Sequence, residues 1–371
     1  MNILQIRGDF IDNGPGTQML TISEALRKRG HQVEVAASGG LLKEKIIKSG
    51  FVFHTIEDLA RTKRAPWNIL SAIAKLRKLF NEREIDVVHA HNAATLYLSF
   101  LASITINRKV KLFHSCRGIE LRKNYQWRNW IYLKYPGHIF AVSEFTKNML
   151  VNIGVKPDGI SVTYNGVDLT RFDIEKKEIF RKKIRSEFNI PDDAIVIGII
   201  GKMGTKGHDE IIKAFANLEK EFTNVYALLV GGGPFLEEFK LLASNLNVSD
   251  RLKFVGTRFE AEMFNSAFDI FALPSYWGEM FPNALLEAMA MKNPIISTKL
   301  SGIPEIFTKD IGYLIERKDT QALEEKLRFL IANKEERLKM GNTARELLME
   351  RFTIQNVVDI IEMQYLNKLE D

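Results

Sequence analysis

The chain has 371 residues, 46% hydrophobic and 26% charged, a soluble globular composition too long for one ordinary core and suited to two domains. A single cysteine, Cys116, excludes an internal disulfide and fits a reducing compartment, where it is expected to serve as a small buried apolar side chain. The net charge of +6 is uneven: residues 1–168 hold 24 Lys/Arg against 14 Asp/Glu, residues 169–371 hold 28 against 32, and residues 61–134 alone hold 15 against 4. That basic segment favours an anionic partner; with no nucleic-acid motif in the chain, nucleic acid is not expected.

In chain order, Met1-Asn2-Ile3-Leu4-Gln5-Ile6 reads as a strand running straight into Arg7-Gly8-Asp9, with no basic leader and long apolar stretch, so a cytoplasmic location is expected. Further strands are predicted at 31–37, 86–90, 110–114, 139–142 and 160–163, with helices at 18–29, 67–82 and 95–104 between the earlier ones. The longest apolar-rich segment, 96–106, falls far short of the roughly 20 residues that span a bilayer and reads as a buried helix. The charged stretch 171–189 carries a helix. Strands then resume at 195–200, 226–230, 252–255, 270–273 and 295–297. This alternation predicts an α/β protein of two Rossmann-like, doubly wound parallel-sheet domains: 1–168, then 169–353 including the linker, with a last helix in 354–371 crossing back to the first domain. Ligands of such sheets sit at the carboxyl ends of the strands. No complete G-x-G-x-x-G follows either first strand and no P-loop is present, which argues against hydride transfer and P-loop chemistry.

The segment Glu279-Met280-Phe281-Pro282-Asn283-Ala284-Leu285-Leu286-Glu287 sets two carboxylates eight positions apart around a helix start. Pro282 suits the first helical position, and the residues after it are mostly strong helix formers. The first-turn N–H groups of Asn283 and Ala284 would attract phosphate, while Glu279 and Glu287 can each accept from a vicinal diol. Sugar plus diphosphate points to a nucleotide sugar.

With Asp269-Ile270-Phe271-Ala272-Leu273-Pro274-Ser275 upstream and Pro294-Ile295-Ile296-Ser297-Thr298 and Ser301-Gly302-Ile303-Pro304-Glu305 downstream, this segment resembles the Glu-x7-Glu region of the retaining glycosyltransferases of family 4, among them bacterial cell-surface glycan and lipopolysaccharide enzymes. The likeness spans nearly the whole chain. It implies the GT-B fold, with an N-terminal acceptor domain and a C-terminal nucleotide-sugar domain facing a cleft. It also implies retaining transfer from a nucleoside diphosphate sugar to a hydroxyl of a glycan or lipid-linked acceptor. On that resemblance Glu279 binds the donor sugar and Glu287 the ribose, with Phe281, Asn283 and Ala284 beside them. In the loop Gly201-Lys202-Met203-Gly204-Thr205-Lys206-Gly207-His208, Gly201, Lys202 and Lys206 face the diphosphate; Lys202 stands where relatives carry Arg, which costs the bidentate grip of a guanidinium. Catalysis is then assigned to Glu279, Lys206 and Lys202, with Val255 contacting the base.

In the first half, Asn13-Gly14-Pro15-Gly16-Thr17-Gln18 is similar to the family's Gly-Gly loop, which puts Gly16 on the donor. At His114-Ser115-Cys116-Arg117-Gly118 the chain departs from the usual His-Gly, leaving His114 and Arg117, with His91, as acceptor-side candidates. No Asp-x-Asp triplet occurs, so neither metal nor cofactor is expected. A sugar-nucleotide epimerase of similar fold and a non-catalytic nucleotide-sugar-binding protein are the alternatives. Residues 121–135 interleave cations, Arg122, Lys123 and Arg128 among them, with five Tyr/Trp residues, a composition suited to an anionic membrane surface and peripheral localisation there.

Overall fold

The chain forms two units, residues 1–166 with 354–371 and residues 167–353. They are seen in a computed structural model that describes residues 1–10, 14–63, 65–119, 129–134 and 137–370. Unit 1 runs β1 (Asn2–Ile6), α1 (Gly14–Lys28), β2 (Gln32–Ala37), α2 (Lys43–Lys48), β3 (Val52–Thr55), α3 (Pro66–Glu82), β4 (Val87–Ala90), α4 (Ala93–Ser103), β5 (Lys111–Cys116), α5 (Trp130–Lys134), β6 (His138–Ala141), α6 (Glu144–Asn152) and β7 (Ile160–Val162). The strands pair in parallel in the order β3-β2-β1-β4-β5-β6-β7. Such an order requires crossover helices on both faces, so the inner strands are apolar on both sides. One face packs Leu4, Ile6, Val88 and Ala90 against α3 and α4 through Leu76, Phe80 and Leu96. The other packs Ile3, Val35, Phe113 and Phe140 against Met19 and Leu26 of α1. Cys116 lies fully buried, and removal from water pushes its thiol up to about 11, so it is inert packing.

Unit 2 runs α7 (Lys177–Glu187), β8 (Ile195–Ile200), α8 (His208–Glu221), β9 (Val225–Val230), α9 (Leu236–Asn245), β10 (Leu252–Gly256), α10 (Ala261–Ala267), β11 (Ile270–Leu273), α11 (Asn283–Ala290), β12 (Ile295–Thr298), β13 (Gly312–Ile315), α12 (Thr320–Ala332) and α13 (Lys334–Arg351). Its parallel sheet has the order β10-β9-β8-β11-β12-β13. The unit's first and last residues, Val167 and Thr353, form a parallel bridge. The final helix, α14 (Ile354–Glu370), belongs to unit 1. It buries Val357, Val358, Ile361 and Tyr365 in the α1 core, while Arg29 pairs with Asp359 at 2.5 Å and Glu362 at 2.6 Å.

Two strands carry no sequence signal of their own. β3 and β13 are four-residue edge strands with half-exposed residues, too short for an alternating pattern to show. A third difference concerns α1, which starts at Gly14 rather than near residue 18. Pro15 is tolerated there because first-turn N–H groups have no intrahelical acceptor.

Candidate active site

In unit 2 the sheet order reverses between β8 and β11: the chain leaves β8 for β9 on one side and β11 for β12 on the other. The loops after these two strands therefore diverge and open a crevice at their carboxyl ends, where doubly wound sheets bind ligands. The loop after β8 is residues 201–207 and the loop after β11 is residues 274–282. Backbone and side-chain bonds fasten them together: Tyr276 N–H donates to Thr205 O at 3.0 Å, and Tyr276 Oη donates to Gly204 O at 3.1 Å. Close approach explains the glycines. A Cβ on Gly207 would lie 2.3 Å from Pro274 O, and one on Gly231 would lie 1.9 Å from Gly201 O; both residues have positive φ.

Those fastenings bring two of the sequence candidates into contact. Lys206 Nζ donates to Glu279 Oε1, which also accepts from Ser275 Oγ at 3.0 Å. The Glu279 side chain is 5% exposed and that of Lys206 is 29% exposed, so the carboxylate is held inside while the ammonium keeps a face towards solvent. An ammonium has three donors, and one is committed here; the others are available to an anion. Met203 turns into the core at 0% exposure and Gly232 O accepts from its N–H, which leaves Lys202 on the exposed side of the loop. Among the described residues Lys202 makes no ion pair with Glu279 or any other carboxylate, and Gly201 packs beside the Lys206 side chain.

Helix α11 begins at Asn283, with Pro282 as extended N-cap. Its first-turn N–H groups, those of Asn283 and Ala284, point along the helix axis away from its own carbonyls. Phe281 is buried against Phe352, with ring centroids 5.6 Å apart, and fixes the entry to the helix. One turn into α11, Glu287 is half-buried. Removal from water raises its pKa; nearby Arg171 opposes the shift and Glu262 adds to it. Arg171 is itself held by Glu262, Nε to Oε2 at 2.8 Å, and by Phe259 O at 2.8 Å. Val255 is the residue skipped where the β10–β9 register shifts between Phe254 and Gly256, a bulge that turns a half-buried side chain off the regular ladder. Ser275, Tyr276, Arg171 and Glu262 were not singled out by sequence reasoning as parts of the site. Ser275 closes the Asp269-to-Ser275 motif, whereas nothing local marks Glu262.

A carboxyl with a raised pKa binds more protons folded than unfolded, so its ionisation costs stability as pH rises through the folded pKa, and the cost is absent below the unfolded value near 4.5. Glu287→Gln is therefore expected to raise the melting temperature at pH 7.5 and to give no gain at pH 4, while weakening nucleoside binding; differential scanning fluorimetry at the two pH values checks the sign.

In unit 1 the order reverses between β1 and β4. At their carboxyl ends lie Arg7 and His91, with Arg117 just beyond the neighbouring β5. His91 is 3% exposed, its Nε2 is 2.6 Å from Gln5 Oε1, and its ring stacks on His89 at 4.4 Å. Because the amide oxygen only accepts, Nε2 carries the proton, and buried Nδ1 has no hydrogen-bond partner among the described residues. His114 is fixed in the opposite tautomer: Nδ1 donates to Ala90 O at 2.9 Å, and buried Nε2 has no partner among the described residues. Burial, with a smaller push from Arg117 against the pull of that carbonyl, lowers its pKa to about 4, so it is neutral at physiological pH. His114 and His91 project from opposite faces of the sheet, so they do not form one constellation. Arg117 donates to Asn165 Oδ1 at 2.7 Å, tying the end of β5 to the segment after β7. Gly16 lies in the first turn of α1 rather than in a loop, and a Cβ there would meet Phe10 and Leu42 at 3.0 Å. Asn13 lies outside the described residues, as do Arg122, Lys123 and Arg128.

The likeness to known proteins covers both units. A sequence profile described as Glycosyltransferase Family 4 matches residues 12–171, and one described as Glycosyl transferases group 1 matches residues 180–347. The chain belongs to the family 4 and group 1 glycosyltransferases. It is 27% identical over 372 residues to an N-acetyl-alpha-D-glucosaminyl L-malate synthase of Bacillus anthracis, covering 96% of this chain and 95% of that one. It is 24% identical over 371 residues to the capsular polysaccharide biosynthesis glycosyltransferase CapM of Staphylococcus aureus, covering 94% and 93%. Anabaena HepE, solved in complex with UDP and glucose, superposes with a TM-score of 0.83 at 19% identity over 98% of each chain. The fold of this glycosyltransferase is GT-B, two parallel-sheet α/β domains.

Proposed function

We propose that this glycosyltransferase moves a sugar, with retention of anomeric configuration, from a nucleoside diphosphate sugar to a hydroxyl of a glycan or lipid-linked acceptor in cell-surface glycan synthesis. The observation that carries the reading is the contact of Lys206 with Glu279 at the β8–β11 switch point, in the loop that leads into α11 and Glu287. Lys206, Lys202 and the first N–H groups of α11 would receive the diphosphate, Glu287 the ribose and Glu279 the donor sugar. The UDP and glucose of the HepE complex and the capsule assignment of the CapM relative support the substrate class.

As the bond from the anomeric carbon to the phosphate oxygen breaks, its electron pair stays on the diphosphate, where the lysines and helix N–H groups stabilise the new charge. The acceptor oxygen bonds to the same face of the anomeric carbon, and its proton passes to the departing phosphate oxygen. This scheme draws on the chain's own cations and N–H groups and needs no metal. On the acceptor side, His91, His114 and Arg117, at or beside the carboxyl ends of β4 and β5, are the candidates.

A panel of UDP-, GDP- and ADP-sugars, scored for nucleotide release with and without hydroxyl acceptors, tests the assignment. Acceptor-dependent release supports transfer. An altered sugar nucleotide formed without acceptor identifies an epimerase, and binding without turnover a non-catalytic protein. In the same assay Lys206→Ala is expected to weaken nucleoside diphosphate binding about tenfold or more while affecting the free nucleoside less, because a charge-assisted contact to phosphate contributes about 1.5–3 kcal/mol. Lys202→Arg should preserve or improve diphosphate binding through the guanidinium fork. A large loss in the arginine variant would remove Lys202 from the diphosphate.

A further inference from the structure

We propose that Trp277 is the acceptor contact of the unit 2 site, an indole platform on which a pyranose ring of the acceptor stacks. This rests on the transferase reading above and makes the acceptor a saccharide rather than a small acyclic hydroxyl compound. Trp277 lies in the loop after β11, two positions before Glu279, and is 65% exposed. Packing gives no reason for an indole there: Leu273 and Phe281, at the two ends of the loop, fill the core, whereas Trp277 and Gly278 stand in solvent. In extended chain, residues 277 and 279 would point to the same side. Gly278 prevents this with a φ of +83°, a left-handed conformation that residues with a Cβ rarely adopt. An added Cβ at Gly278 would meet nothing within 4 Å, so the glycine serves the turn and not a close approach. Beyond the turn Glu279 goes inward to Ser275 and Lys206, and the indole is left outside.

The loop that presents the indole is fastened on both sides. The carbonyl of Trp277 accepts from Thr205 Oγ1 at 3.3 Å. Tyr276 before it is bonded to Thr205 and Gly204, and Lys318 Nζ lies 5.0 Å from the centre of the Tyr276 ring. An aromatic side chain carried on fixed backbone has little freedom to lose when a ligand covers it. Its place in the site selects the ligand. The base and ribose are assigned to Val255 and Glu287, and the donor sugar to Glu279, which is buried. A ring lying on the solvent side of Glu279 is therefore the next one, that of the acceptor. A pyranose has a face of C–H groups that fits a flat apolar π surface, and stacking removes both from water. A hydroxy acid or short polyol has no such face.

Two measurements on the full chain test this. In the first, saturation-transfer NMR follows the methyl pyranosides of glucose, galactose, mannose and N-acetylglucosamine, with UDP, GDP and ADP added in turn. At least one pyranoside is expected to receive saturation on its C–H protons from wild type and from Trp277→Phe, and to lose it with Trp277→Ala. In the second, transfer to the same pyranosides is compared with transfer to L-malate and glycerol. Trp277→Ala should raise the acceptor KM about tenfold while nucleotide affinity stays within about twofold of wild type, since one stacking contact is removed and no charge. Its kcat should stay within about threefold, as expected when ground state and transition state lose the same contact. Trp277→Phe should recover most of the KM. Thermal melting verifies that each variant is folded. No saturation from wild type, equal saturation from Trp277→Ala, an unchanged acceptor KM, or transfer to malate or glycerol in preference to pyranosides would overturn the proposal. So would an equal loss of nucleotide affinity in Trp277→Ala, which would place the indole on the nucleotide. Failure of wild type itself to bind or turn over any nucleotide sugar would remove the transferase reading, and the proposal with it.

Discussion

Glu279→Gln is expected to lower kcat/KM by about 10²–10³-fold, the range seen when one preorganised electrostatic contact to a reacting centre is removed. The substitution is nearly isosteric, and the amide oxygen can still accept from Ser275 Oγ, which lies 3.0 Å from Glu279 Oε1. What disappears is the negative charge beside Lys206, and with it the proposed contact to the donor sugar. Lys206 is 29% exposed, so water can solvate its ammonium once the partner is neutral. A loss of about 1–2 kcal/mol in stability is the expected structural effect, well below the catalytic one. Thermal melting and steady-state kinetics on the same preparation separate the two. Turnover within a few-fold of wild type would remove Glu279 from the chemistry.

The second large effect is on unit 1 in mild acid. His89, His91, His114 and His138 of unit 1 are buried, as is His208 of unit 2. Desolvation lowers the pKa of His114, His138 and His208 to about 4, and drives His89 and His91 well below the usual value, helped by neighbouring histidines and Arg117. Each is neutral when folded and protonates near 6.5 when unfolded. The stability each confers is complete above pH 6.5 and is lost as pH falls from there towards 4, because over that window the unfolded chain binds the extra proton. With four such groups against one, unit 1 should loosen first. Hydrogen exchange at pH 7.5 and 5.0 is expected to show protection falling in β1, β4 and β5 while β8 and β11 hold. Tyr365 should report the same event, since its hydroxyl lies 2.6 Å from His89 Nδ1 and holds α14 to the sheet. Equal loss in both units, or loss in unit 2 first, would contradict the assignment.

Much of this architecture is legible in the residues because parallel strands buried on both faces must be continuous apolar runs, as Ile195 to Ile200 and Ile270 to Leu273 are. The edge strands β3 and β13 lack that constraint and went unseen. Within the site, Glu279, Lys206 and Glu287 stand out because a Pro-initiated helix and a glycine loop surround them. Contacts made across distant loops do not stand out: Glu262 beside Arg171, or Tyr365 against His89, depend on chain returning from 91 and 276 positions away. The start of α1 was misplaced for a local reason, since Gly14, Pro15 and Gly16 read as a turn until Pro15 is placed in a first turn that needs no N–H from it.

Unit 2 is expected to hold a nucleoside diphosphate between Lys206 and Glu287. Calorimetric titration of UDP, GDP and ADP, and of the matching free nucleosides, into wild type, Lys206→Ala and Glu287→Ala tests it. At least one nucleotide should bind wild type, about tenfold or more weakly in both variants, with the lysine variant losing its preference for diphosphate over free nucleoside and the glutamate variant keeping it. Equal affinity in all three proteins, or no binding of any of the three nucleotides to wild type, would contradict the account.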